Sequence, residues 1–196
     1  MSTPLKKFKL TYTNLSSLNG NKNIEAIILG EIDDERVGVF STLPNLKYLH
    51  ISINKQNEIP DLTPLKNLEV LILSSIKKVD NINYLSGLVN LKTLYIHEIN
   101  NMYDLEPLSS LVNLEELYLD HGKMSGTGQS VKSMEPISKL TNLKYLAFIL
   151  NVETKSYDIS ALCSLKKLQK LRILPRYLEN GNREKLLNEL PLLSEL

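Results

Sequence analysis

Leucine-type residues recur along the chain in the spacing L-x-x-L-x-L, with polar or aromatic residues between them. The first position of each match falls at Leu5, Ile24, Leu46, Leu68, Leu91, Leu114, Leu143, Leu168 and Leu193. Two neighbouring units, "LVNLKTLYIHEI" and "LVNLEELYLDHG", show how strictly the apolar letters hold while the others change. The L-x-L part alternates with the period of a half-buried strand. A second apolar column lies three residues ahead of each start, at Leu43, Leu65, Leu88, Leu111, Leu140, Leu165 and Leu190. A third lies six ahead, at Leu18, Phe40, Leu62, Leu85, Leu108, Ile137, Leu162 and Leu187. One unit holds too few apolar side chains to close a core alone, so neighbours must stack to bury them.

Units of about 22 residues leave little room for a full helix after strand and turns. Short 3₁₀ or single-turn segments are therefore expected on the face opposite the strands. Segments such as "DLTPL" and "DLEPL" suit that role, because proline fits a first helical position and cannot donate to a sheet. Glu58, Asn81, Asp104, Ser133 and Asp158 share a column before these turns and are expected as caps. An asparagine column at Asn23, Asn45, Asn67, Asn90, Asn113 and Asn142 reads as a ladder satisfying turn backbone groups. "PLKKFKL" reads as a terminal repeat with lysines outward. "NREKLLNELPLLSEL" predicts a helix from about Arg183 to Leu190, covering the last core layer with Leu186, Leu187 and Leu190.

These columns resemble the leucine-rich repeat family in its short form. Internalins and the leucine-rich regulatory subunit of protein phosphatase 1 look most similar. The resemblance implies an α/β solenoid, with a curved parallel sheet on the concave side and 3₁₀ or short helical turns on the convex side. It implies one domain over residues 1–196, of about nine units, with a C-terminal helical cap at about 182–196. The family usually places asparagine nine positions into the motif. Here only Asn54 and Asn151 do so, and Ile32, Ile76 and Ile99 replace it.

Composition narrows the function classes. With 42% apolar and 23% charged residues the chain reads as a globular domain with a substantial core. A net charge of +1 gives no reason to expect nucleic acid or an anionic membrane as partner. The opening "MSTPLKKFKLTYT" has no uninterrupted apolar stretch of the kind a secretory signal needs. One cysteine fits a reducing compartment, so a cytoplasmic location is expected.

Catalytic signals are weak. "GKMSGTGQS" at 122–130 has the small residues of a phosphate loop without its G-x-x-x-x-G-K-[ST] spacing. Cys163 occupies a column filled by Ser41, Thr63, Ser86, Ser109 and Ser138, so it reads as a small turn residue and not a nucleophile. His50, His97 and His121 fall on or just after strands, but no third imidazole or cysteine completes a metal site. No enzyme, metal or cofactor is expected.

The remaining strand positions face the concavity. The partner surface is read as Tyr48, His50, Ile72, Tyr95, His97, Glu116, Tyr118, Asp120, His121, Tyr145 and Arg172, with tyrosines across its middle and an acidic rim that includes Glu98. Solvent-facing aromatics of this kind are typical of interface hot spots. A longer unit between Leu114 and Leu143 adds a glycine-bearing loop at the edge of this face. The expectation is a monomeric, non-enzymatic module that binds a protein, such as an inhibitor, immunity-type antidote or adaptor. A regulatory subunit of an enzyme such as a phosphatase and an exported adhesion ligand are the alternatives.

Overall fold

The computed structural model describes residues 15–52, 55–98, 102–122, 130–154 and 157–196. The expected first unit at Leu5 with its lysines, Asn54 and Ile99 lie outside the described residues, as do residues 123–129 of the long loop.

Among the described residues, the seven units starting at Ile24, Leu46, Leu68, Leu91, Leu114, Leu143 and Leu168 each contribute one short strand where the alternation predicts it. These strands are β1 (Ala26–Leu29), β2 (Tyr48–Ser52), β3 (Val70–Ser74), β4 (Thr93–His97), β5 (Glu116–Asp120), β7 (Tyr145–Ile149) and β9 (Lys170–Ile173). All seven pair in parallel, in the order β1-β2-β3-β4-β5-β7-β9. Register is constant: Leu49, Leu71, Leu94, Leu117, Leu146 and Leu171 stand opposite one another along the stack. The first five of these are fully buried and Leu171 nearly so. That constancy follows from the period of two, since a slip of one residue would turn every leucine to solvent. The chain is thus a leucine-rich repeat solenoid in fold.

The convex side is built mostly as expected. Five-residue 3₁₀ turns at Glu106–Ser110, Glu135–Lys139 and Ser160–Ser164 return the chain, two of them with proline near the start. In four of the five cap positions the side chain accepts from the backbone N–H two residues on: Asn81, Asp104, Ser133 and Asp158. Glu58 does not do so; in its repeat the shorter Asp61 side chain bonds the Thr63 N–H instead. One unit departs from the expected short turns by forming an eight-residue α-helix, α1 (Asp34–Ser41). Asp33 caps it by accepting from Arg36 N at 2.8 Å, and Asp34 and Glu35 place acids in its first turn. Val37 and Phe40 keep the core filled.

The asparagine ladder is present. The side-chain amides of Asn45, Asn67, Asn90, Asn113 and Asn142 donate to Lys22, Pro44, Lys66, Val89 and Val112 carbonyls, each one repeat earlier, at 2.7–3.1 Å. Where asparagine is missing nine positions into the motif, Ile32 and Ile76 turn inward and are buried. Gln56 of the next repeat then brackets Ile32, accepting from its N–H and donating to its carbonyl. A further core column was not anticipated: Val37, Ile59, Ile82, Leu105, Met134 and Ile159, nine residues ahead of the motif, are all buried.

At the C-terminal end, α2 spans Asn182–Glu189, one residue off the expected bounds. Leu186 and Leu190 are buried, but Leu187 is 48% exposed, contrary to expectation. Its column presumes a 3₁₀ return; an α-helix advances 100° per residue, so Leu186 takes the inward position. Beyond the helix, Leu171 N donates to Glu195 O, extending the ladder past β9. Small strands β6 (Ser130–Val131) and β8 (Asn151–Val152) add a parallel pair beside the long unit.

Candidate functional site

The face of the sheet away from the core carries three columns of side chains. The pairing makes the first Tyr48, Val70, Thr93, Glu116, Tyr145 and Lys170. The middle one is Ile28, His50, Ile72, Tyr95, Tyr118, Ala147 and Arg172. The third is Ser52, Ser74, His97, Asp120 and Ile149. Tyr48 and Tyr145 therefore flank the middle of the face and do not continue the Tyr95–Tyr118 column.

Tyr95 and Tyr118 are direct register partners on β4 and β5, with ring centroids 5.5 Å apart and planes tilted by 37°. That is the separation parallel strands impose on partner side chains. Their hydroxyls point opposite ways along the strands. Tyr95 donates to Glu116 Oε2 at 3.2 Å, and Tyr118 donates to Asp120 Oδ2 at 2.9 Å. Burial, then the Glu116 carboxylate beside it, pushes the Tyr95 phenol up to about 12. Tyr118 is raised for the same reasons, burial first and Asp120 second. Both phenols therefore remain protonated donors at neutral pH.

Asp120 gathers this corner together. Its Oδ1 accepts from Gly122 N at 2.8 Å, and His97 Nε2 lies 3.6 Å from its Oδ2. His97 also stacks on Tyr118, centroids 6.2 Å apart. Gly122 has φ of 73°, and a Cβ there would lie 2.8 Å from Glu98 Cγ, so this close approach requires glycine. Farther along, His50 Nε2 and Ser74 Oγ share a hydrogen bond of 2.9 Å, and burial holds the His50 imidazole below its usual range. Ile72 and Tyr145 are half-buried on the same face, and Arg172 is exposed at its C-terminal end.

His121 is the exception among the expected surface residues. It is only 2% exposed, so it belongs to the interior and not to the partner face. β5 ends at Asp120, and the alternation of faces cannot be carried past a strand's last residue.

One feature of the rim escaped the sequence reading. The residues just ahead of the first column alternate in sign: Glu25, Lys47, Glu69, Lys92, Glu115, Lys144. Glu69 pairs with Lys47 and Lys92, both at 2.8 Å, and Glu115 with Lys144 at 2.6 Å. The alternation spans units and is invisible within any one of them. This ladder neutralises itself along the edge of the face.

Cys163 sits half-buried in a 3₁₀ turn, its thiol 3.7 Å from the Ile159 carbonyl. Ser41, Ser86 and Ser138 of its column donate instead to the carbonyl three residues back in their turns. Burial raises the Cys163 thiol, which reduces its thiolate fraction. Among the described residues no group of three or more His, Cys, Asp or Glu is arranged to hold a metal, and no helix is long and apolar enough to cross a membrane.

Sequence comparison finds no matching family model and no matching curated protein. Solved structures do match. Internalin C2 of Listeria monocytogenes (inlC2) is 26% identical, with a TM-score of 0.56 over 93% of this chain and 73% of that one. An internalin of the same organism (inlF) is 20% identical, with a TM-score of 0.57 over 87% of this chain and 44% of that one. The Leptospira interrogans LRR protein LIC12759 is 17% identical, with a TM-score of 0.68 over 98% of this chain and 52% of that one. The chain shares the leucine-rich repeat fold and resembles the internalins, and it spans about half the length of two of these three proteins.

Proposed function

We propose that the chain is a non-enzymatic module that binds a protein on its concave face. The observation that carries this reading is the Tyr95–Tyr118 pair, held in solvent-facing columns where the leucine stack has no use for it. Paired aromatics with satisfied hydroxyls offer rigid, amphipathic contact area at low entropic cost. Inhibitor, immunity-type antidote and adaptor are the roles that fit a binding face of this kind. The single cysteine supports a cytoplasmic location. The likeness to internalins supports the second reading, an exported adhesion ligand. Fractionation of the source cells separates the two locations. For the face itself, a benzophenone amino acid placed at Ile72 in one variant and at Ser109 in another tests the reading. The physiological partner should crosslink to the first and not to the second; the reverse result would move the interface to the convex side.

A further inference from the structure

The charges on the concave face are distributed unevenly. From β3 to β7 the carboxylates in its three columns are Glu116 and Asp120, two residues to either side of Tyr118 on the same strand, and the one basic side chain there is His97, 3.6 Å from Asp120. On the flanking rim, Lys92 and Lys144 are engaged by Glu69 and Glu115. Arg172 stands two strands from Tyr118, a distance of ~10 Å at ordinary strand spacing. The tyrosine hydroxyls donate to both carboxylates, which fixes the acids beside the rings without neutralising them. Both acids are half-buried, where water screens a charge less than at an open surface.

Resting on the concave-face reading, we propose that this centre receives an arginine side chain of the partner protein. A guanidinium is planar and stacks on tyrosine, and its fork of N–H donors pairs with a carboxylate at the ring's edge, Asp120 beside Tyr118 or Glu116 beside Tyr95. Ammonium lacks the plane and the fork. An anionic segment would meet two carboxylates whose phenol donors are already committed.

Amide and side-chain NMR of the protein with short peptides tests this directly. The probes are acetyl-Gly-Gly-Arg-Gly-Gly-amide, its citrulline counterpart and its glutamate counterpart, with oligouridylate as a nucleic-acid arm. The arginine peptide should shift resonances of Tyr95, His97 and Tyr118, and the other three should leave them in place. Glu116→Gln with Asp120→Asn should weaken the arginine response about tenfold, while the unliganded spectrum reports a retained fold. Equal shifts from citrulline or glutamate, shifts from oligouridylate, or no arginine shift on β4 and β5 would overturn the proposal. The two readings fail separately. A partner that crosslinks at Ile72 but binds the Glu116→Gln/Asp120→Asn protein unchanged refutes the arginine assignment alone. A partner crosslinking at Ser109 refutes the concave site itself.

Discussion

Leu94→Ala probes the stack at its centre. Leu94 is fully buried on β4, directly between Leu71 of β3 and Leu117 of β5, which are fully buried too. Removing three carbons at about 0.8 kcal/mol each forfeits about 2.4 kcal/mol of transfer free energy. The backbone ladders hold β3 and β5 in place, so the gap cannot collapse, and the cavity adds roughly 1–2 kcal/mol. The expected total is about 4 kcal/mol. Urea denaturation followed by circular dichroism measures it, with Leu187→Ala as the comparison. Leu187 carries the same residue type but is 48% exposed, and its truncation should cost under about 1 kcal/mol. If Leu94→Ala cost less than about 1 kcal/mol, or Leu187→Ala cost as much, the packing argument would be refuted.

Three further outcomes are expected. Asn113→Ala strips the Val89 carbonyl of its partner at an exposed edge and should destabilise by roughly 0.5–1.5 kcal/mol, read from the urea midpoint; no change would make the asparagine ladder incidental. Cys163→Ser should leave stability within about 0.5 kcal/mol, because the hydroxyl can make the back-bond its serine neighbours make, and wild-type alkylation by iodoacetamide at pH 8 should be slower than that of glutathione. Asp61 and Asp158 are held below the usual range by hydrogen bonds from Thr63 and Ser160, and Glu69 and Glu115 by those from lysines. A depressed carboxylate stabilises above its unfolded value, and a depressed imidazole loses stability once the unfolded histidine protonates, so the urea midpoint should drop slightly below about pH 6.5 through His50 and steeply below about pH 4 through the carboxylates; a midpoint that rises on acidification would contradict these contacts.

The sequence carries the strands, their register and the inner face plainly, because a period of two repeated every 22 or so residues leaves one arrangement that buries the leucines. The Tyr95–Tyr118 contact follows from the same alignment. What escaped it depends on local endings. His121 lies one residue beyond β5, where alternation has stopped. Leu187 belongs to an α-helix that replaces a 3₁₀ return, and α1 forms on the Asp33 cap in a unit expected to make a short turn. The Glu–Lys alternation along the rim spans units, so it emerges only when residues such as Lys47, Glu69 and Lys92 are seen side by side. Residue type alone groups Tyr48 and Tyr145 with the central pair, although register places them one column away.

Tyr95 and Tyr118 are proposed to bind the partner from columns that the leucine stack does not need. The most direct measurement is the affinity of the crosslinked partner for the wild-type protein and for Tyr95→Ala/Tyr118→Ala, by titration calorimetry, with circular dichroism to establish that both are folded. Truncating two central aromatics of an interface should weaken binding by ~2 kcal/mol or more, roughly thirtyfold or beyond. Equal affinities in two folded proteins would contradict it.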